Sequence, residues 1–172
     1  MNGATQVFLP RADEDVVFVF THILQHFYCG GIGLRQICDW IRLLWKYKES
    51  LDLVLLEKRI RKMGIMTEWI VFAALAVEIL GMPEDAMPFY SKSKKWIRKA
   101  DRVLSLVMEV GNFGHNRDTS YLHKDAILIR KAKTFKNLTW DNMRQIAIFP
   151  LDTLKVWSNM FVYRTKLSIF SH

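Results

Sequence analysis

The sequence has few cysteines and lacks a pattern that would build a sheet. Only Cys29 and Cys38 occur in 172 residues, so there is neither a disulfide framework nor a zinc-finger spacing, and we expect two reduced, partly buried thiols. No stretch alternates polar and apolar residues as a half-buried strand does, so no sheet-based catalytic core is expected in this chain. The first ten residues have neither a basic start nor a long apolar run, so we expect no signal peptide and a cytoplasmic location.

Other common signatures are also missing. Residues 16–34 contain no Asp, Glu, Lys or Arg, yet they include two histidines, a glutamine and a glycine pair, so we predict no transmembrane segment. There is no GxSxG motif, no convincing Ser-His-Asp order and no prominent pair of carboxylates. These absences argue against a serine hydrolase and against acid-base chemistry by two carboxylates.

The composition and the hydrophobic period predict a helical protein. Hydrophobic residues make up 51% of the chain and aromatic residues 13%, which is typical of a folded domain. The apolar residues recur with a helical period nearly throughout. We therefore predict an all-α, single-domain bundle of six or seven helices over residues 1–172, with an extended lead-in at 1–12 and a C-terminal helix at 150–172.

Capping residues and apolar faces give the expected bounds. The predicted helices span about 13–28, 32–47, 50–64, 66–80, 92–110, 120–149 and 151–169. Asp13 and Ser50 are the expected N-caps of the first and third helices. Trp45 and Val54 lie at positions expected to face the core. The fourth helix is apolar on all sides, so we expect it to be the central, buried helix.

Residues 21–40 concentrate most of the side chains that could do chemistry. His22 and His26 lie four residues apart and share a helix face. Such a pair can bind a metal ion, with Cys29 or Asp39 completing the ligand set. A zincin helix has Glu directly after its first His, however, and Ile23 stands there. We therefore predict no metal site, and expect two histidines inside the helical core with Asp39 as their hydrogen-bond partner.

The second pair in this segment follows a glycine turn. Arg35 and Asp39 also lie four apart, which fits either a simple helix ion pair or an arginine directed at a phosphate or carboxylate and oriented by Asp39. Gly31 and Gly33 precede the helix, whose N-terminus would attract anions. The turn lacks the Lys and Ser/Thr of a P-loop. The candidate anion-binding residues are thus Arg35, Gly31, Gly33, His22, His26 and Asp39, and no catalytic residue is assigned.

A different site is the alternative. Arg117 is followed six residues later by His123, which resembles the motif of helical HEPN-type ribonucleases. A spacing this short arises readily by chance in a basic chain, and capping side chains in an interhelical loop also explain the segment. A third possibility is a non-catalytic interaction module, for which an exposed apolar patch on residues 151–169 would be the sign.

Several segments together resemble a known bacterial family. They are residues 9–15 (LPRADED), 17–40 (VFVFTHILQHFYCGGIGLRQICDW), 111–118 (GNFGHNRD) and 149–157 (FPLDTLKVW). They resemble the C-terminal half of the "uncharacterised nucleotidyltransferase" family of the polymerase-beta-like superfamily. The resemblance covers most of the chain, and GIGLRQICDW is its most specific part. The matching residues are His22, His26, Gly31, Gly33, Arg35, Asp39 and the 111–118 loop.

The resemblance implies a function shared between two parts. Nucleotidyl transfer in that family requires a mixed sheet with acidic residues that hold Mg²⁺ beside a nucleoside triphosphate. The nearest acidic string here, Asp13-Glu14-Asp15, fits a helix start better. We therefore expect an accessory or substrate-binding domain that is not catalytic alone and holds no cofactor, since Mg²⁺ and the triphosphate would belong to the other half.

The net charge of +8 favours anionic partners. The expected partners are a nucleotide or phosphorylated small molecule, and a catalytic domain preceding this one. Nucleic acid stays open as a less favoured alternative.

Overall fold

The structure is all-helical wherever it is described. The computed structural model describes residues 10–29, 31–111 and 143–150, and no strand occurs among them. The α-helices are α1 (Ala12–Cys29), α2 (Leu34–Tyr47), α3 (Leu53–Met63), α4 (Met66–Ala74) and α5 (Lys94–Val110). Residues 143–148 form a further helical stretch, followed by a bend at Phe149. The all-α prediction is confirmed, whereas the predicted lead-in at 1–9 and the C-terminal helix lie outside the described residues.

Helix α4 is central, as its apolar sequence predicts. It lies against both α3 and α5, while α1 contacts α2 and α3. Trp69 and Phe72 of α4 are fully buried with Phe20 of α1 and Trp40 of α2. The Phe20 ring stacks on Trp40 with centroids 4.8 Å apart and meets the edge of Trp69 at 4.9 Å. Contacts between these aromatic rings therefore join three helices into one core.

Helix α4 continues as a π-helix rather than as the regular helix that the sequence predicts. The π-helix spans Leu75–Ile79 and ends where the Leu80 amide donates to the Leu75 carbonyl at 3.1 Å. Gly81 follows with a φ of 76°, a left-handed conformation that favours glycine. A short 3₁₀-helix, Glu84–Ala86, leads towards α5.

Two predicted caps are wrong. Helix α1 begins at Ala12, so Asp13 lies inside the first turn, where its carboxylate contacts Arg11 and Arg59. The N-cap of α3 is Asp52, which accepts a hydrogen bond from the Leu55 amide at 2.9 Å. Ser50 instead donates to the Tyr47 carbonyl at the end of α2. Ser50 is taken up by a local carbonyl, whereas Asp13 is bound by both the adjacent Arg11 and the distant Arg59.

Two expected core positions also face outward. Val54 is 81% exposed, and Leu56 is buried in its place. Trp45 is 47% exposed, because Trp40 and Leu44 fill the buried face of α2. Gly64 ends α3 with a φ of 72°, and its amide donates to the carbonyls of Ile60 and Arg61.

A few buried polar groups link the elements. Tyr28 of α1 donates to the buried Glu68 of α4 at 2.9 Å. The Gln145 side chain donates to the Phe27 carbonyl at 2.7 Å and holds the 143–148 stretch against α1.

None of the helices that the structure describes combines the length and the apolar character needed to cross a bilayer.

Candidate functional site

One face of α2 presents charged side chains to solvent. Arg35, Asp39, Arg42 and Lys46 are all exposed and follow one another at helical spacing, so they form a single row that we call the outer stripe. The opposite face supplies Ile37, Trp40 and Leu44 to the core. The stripe thus carries three cations and one carboxylate on a helix whose orientation is fixed by the core.

A groove runs beside the C-terminal part of this stripe. It encloses about 630 Å³ and is lined on one side by Asp39, Arg42, Trp45 and Lys46 of α2. Its other side is formed by residues 80–82 at the end of the π-helix. We call it the α2 groove. Its volume is in the range of about 300–1,000 Å³ that is usual for small-molecule sites.

The positive charge at the groove is only partly neutralised. Neither Arg42 nor Lys46 forms a salt bridge with any residue in the described part of the chain. Asp39 is 3.9 Å from Arg35, which lies one turn earlier along the stripe. The ammonium group of Lys48 lies 5.1 Å from the centre of the Trp45 ring. An anion that enters the groove would meet two cations without displacing an existing carboxylate partner.

The opposite wall of the groove has unusual backbone geometry. The Met82 amide donates to the Ala76 carbonyl at 2.9 Å, and Gly81 turns the chain with its positive φ. π-Helical turns are rare and occur often at functional sites, because the extra residue per turn redirects nearby groups. The end of the π-helix therefore sets the position of this wall of the groove.

The predicted glycine turn directly precedes the stripe. Gly31 has a φ of 93°, and its amide donates to the His26 carbonyl at 2.9 Å. Gly33 is the N-cap of α2 in extended conformation and provides no side chain to cap the helix. The turn leads into α2, which packs beside α1.

The structure brings each predicted pair together. The Nε2 atoms of His22 and His26 are 3.1 Å apart. The Arg35 Nε atom lies 3.9 Å from Asp39, with Arg35 92% and Asp39 57% exposed. A contact of this kind is a loose surface ion pair that holds neither side chain rigidly. The histidines were expected inside the core, but His22 is exposed and His26 only half-buried.

The thiol beside the turn is not activated. Desolvation raises the pKa of Cys29 above its ordinary value, which favours the protonated, unreactive form. Both cysteines are thiols, and the expectation that both are partly buried holds for Cys38 but not for Cys29, which is exposed.

The residues of the alternative, HEPN-type site are not among those that the structure describes. Arg117 and His123 lie outside the described residues, as does the 111–118 loop after Gly111. The HEPN-type interpretation therefore stays a prediction.

Sequence reasoning missed the groove because it placed Trp45 in the core. The available signal was the continuation of the Arg35–Asp39 spacing to Arg42 and Lys46, which marks one polar face three turns long. The π-helix opposite gave no signal, because its residues also fit a regular apolar helix.

Scans against protein-family models, curated proteins and solved structures find no match to this chain.

Proposed function

We propose that this chain is a helical substrate-binding domain of a nucleotidyltransferase-like protein, and that the α2 groove holds an anionic, phosphorylated small molecule. The observation that carries the proposal is the groove itself, where Arg42 and Lys46 line a volume of about 630 Å³ without a carboxylate partner of their own. The link to nucleotidyl transfer rests on the sequence resemblance.

The chemistry of the groove favours a phosphate ester. Hydrogen bonds from charged donors to phosphate oxygens are roughly twice as strong as neutral ones. Arg42 provides a planar group for two oxygens, and Lys46 provides a point charge one turn away. The exposed ring of Trp45 offers a flat apolar surface to the organic part of the ligand. Arg35, at the N-terminal end of the stripe, adds positive potential that attracts the ligand.

In this proposal the chain binds and orients a substrate, and the bond-making step belongs elsewhere. A separate sheet-based domain would hold Mg²⁺ and the nucleoside triphosphate through its acidic residues. The helical domain would present the phosphorylated acceptor to that centre, and positioning of this kind is a large part of catalysis.

Calorimetry with the full chain tests the proposal. The probes are glucose 1-phosphate, adenosine triphosphate without metal, and unphosphorylated glucose. We expect a phosphorylated probe to bind the wild type, and the double variant Arg42→Gln/Lys46→Gln to bind it about ten-fold or more weakly, since each lost charged hydrogen bond costs about 1.5–3 kcal/mol. Unphosphorylated glucose should give no heat.

A matched control separates the groove from net charge. Lys58→Gln/Lys62→Gln removes the same two charges from exposed positions of α3. Its affinity should stay within about two-fold of the wild type at physiological ionic strength, where distant surface charges are largely screened. The proposal would be contradicted by an equal loss of affinity in the two double variants, or by the absence of binding heat with both phosphorylated probes.

A further inference from the structure

His22 and His26 form a pair on the outer face of α1 that the groove does not use. Their Nε2 atoms lie 3.1 Å apart, and the rings meet edge to face with an interplanar angle of 84°. The ring centroids are 4.4 Å apart. The two Nε2 atoms are closer to each other than the centroids are, so they lie on the sides of the rings that face each other. One turn of helix separates the residues, and this places both nitrogens on the same side of α1.

The separation of the two nitrogens matches a pair of metal ligands. A Zn–N bond of about 2.0–2.1 Å puts two nitrogens about 2.9 Å apart at a right angle and about 3.4 Å apart at a tetrahedral angle. The observed 3.1 Å lies between these values. A metal ion could therefore be held by both rings with only small rotations of the side chains.

The possible protonation states of the two neutral imidazole rings also allow them to bind a metal ion together. When both rings are neutral, a hydrogen bond between two Nε2 atoms requires one ring to donate its proton and the other to accept it. If both rings carry their protons on Nδ1, both Nε2 lone pairs are available to one cation. In the ring that donates, the proton moves from Nε2 to Nδ1, a cation takes its place between the two Nε2 atoms, and neither ring loses a proton overall.

We propose that His22 and His26 form a two-histidine site for a divalent transition-metal ion such as Zn²⁺, Ni²⁺ or Cu²⁺. Imidazole nitrogen suits these ions better than it suits Mg²⁺ or Ca²⁺. Helix α1 itself contains no lysine or arginine, so it adds no cation beside the pair. This site is independent of the α2 groove and of the proposed function.

The sequence predicts no metal site at these histidines, and this proposal revises that expectation for an ion held by two nitrogens, not for a metalloprotease centre. Ile23 replaces the glutamate that would act as a base, so the pair binds an ion without activating water for hydrolysis. No group of three or more metal-binding side chains converges in the part of the chain that the structure describes. Two protein ligands leave the remaining coordination positions to water or to an external ligand.

Cys29 lies one further turn along the same face of α1 but is not included among the ligands. Its thiol does not converge with the two imidazoles, because no group of three metal-binding side chains occurs in the described part of the chain. The two-histidine site therefore predicts nitrogen ligation only.

Titration of the full chain with Ni²⁺ and Cu²⁺ tests the proposal. We expect one ion to bind per chain in calorimetry, a melting temperature that rises with metal concentration, and a Cu²⁺ electron paramagnetic resonance spectrum with nitrogen ligation. His22→Gln and His26→Gln should each weaken binding by at least about ten-fold, since even loss of a second-shell partner costs about 10–100-fold. Both positions are on the outer face, so circular dichroism should show unchanged helix content.

Two control variants make the result decisive. His172→Gln removes a histidine elsewhere in the chain, and Cys29→Ser removes the neighbouring thiol; both should bind the ions as the wild type does. If His22→Gln/His26→Gln retains the wild-type affinity, or if Cys29→Ser loses it, the two-histidine site is wrong. The absence of one-site binding in the wild type would overturn the proposal equally.

Discussion

The Nε atom of Arg59 lies 3.3 Å from the carboxylate of Asp13, which is only 2% exposed. Arg11 contacts the same carboxylate at 3.1 Å, and Arg59 also reaches Glu14 at 2.8 Å. The buried charge of Asp13 is therefore matched by two guanidinium groups, one from its own helix start and one from α3. This arrangement joins the first turn of α1 to α3, so we expect its loss to lower the free energy of unfolding.

We expect Asp13→Ala to lower the free energy of unfolding by about 1–3 kcal/mol, the usual range when a buried, charged hydrogen-bond partner is removed. Chemical denaturation followed by circular dichroism measures the change. Asp101→Ala is the matched control, because Asp101 is an exposed residue of α5 and its loss should change stability by less than about 0.5 kcal/mol. Similar losses in both variants would contradict a structural role for the Asp13 cluster.

The same cluster predicts how stability depends on acid. The hydrogen bond from Arg59 lowers the pKa of Glu14 below its ordinary value of 4.5, and the Arg11 amide adds to the effect. The stabilisation is therefore present above about pH 4.5 and is lost as the pH falls through the lower pKa of the folded state. Glu14→Gln should show a smaller loss of stability than the wild type between neutral and acid pH.

Urea midpoints measured across the acid range test this prediction. Glu49→Gln provides the control, since Glu49 is 88% exposed and its contact with Lys48 is long at 3.6 Å. Its acid dependence should follow that of the wild type. A Glu14→Gln variant with the full wild-type acid dependence would show that the Arg59 contact does not hold the Glu14 carboxylate in its charged form.

The sequence predicted the helical elements well where the apolar period is strong. The fourth helix is apolar on every side, and residues 71–76 are indeed buried. The prediction of helix caps failed where several polar groups compete for the same hydrogen-bond or ion-pair partner. Ser50 and Asp52 are both good caps, and only the final path of the chain places Asp52 over the Leu55 amide. Asp13 likewise has a capping sequence, but a distant arginine, Arg59, binds it.

The candidate functional site was predictable only in part, because part of it depends on contacts between elements that are distant in sequence. Spacing alone was enough to place Arg35 with Asp39 and His22 with His26, because such pairs depend on one helix. A groove depends on two elements that are far apart in sequence. Trp45 fits the apolar spacing of α2, yet it is 47% exposed while Trp40 and Leu44 occupy the buried face.

Tyr90 provides a test of the geometry beside the π-helix. Its hydroxyl donates to the Glu78 carboxylate, and this hydrogen bond, with desolvation and the Glu78 and Glu84 charges, raises the pKa of Tyr90 to about 12. The associated stabilisation is present below the ordinary tyrosine pKa of 10 and is lost as the pH rises through about 12. Glu78→Gln should bring the pKa of Tyr90 back towards 10.

Ultraviolet titration of the wild type, compared with Tyr90→Phe, isolates this tyrosine from the others. Asp15→Asn is the control, because Asp15 raises the pKa of Tyr47 through the same kind of hydrogen bond on a different helix pair. It should lower the pKa of Tyr47 and leave that of Tyr90 unchanged. A Tyr90 that titrates near 10 in the wild type would contradict the contact with Glu78.

The aromatic core gives the largest expected effect on stability. Phe20 is fully buried, and its ring contacts those of Trp40, Trp69 and Phe72, with centroids 4.8, 4.9 and 5.5 Å away. Phe20→Ala would leave a cavity where three helices meet, so we expect it to lower the free energy of unfolding by about 3–5 kcal/mol. Phe18→Ala makes the same chemical change two residues earlier, on a side chain that is 71% exposed. It should cost less than about 0.5 kcal/mol. Denaturation of the two variants side by side tests which face of α1 packs against α2 and α4, and a larger loss for Phe18→Ala would reverse the assignment.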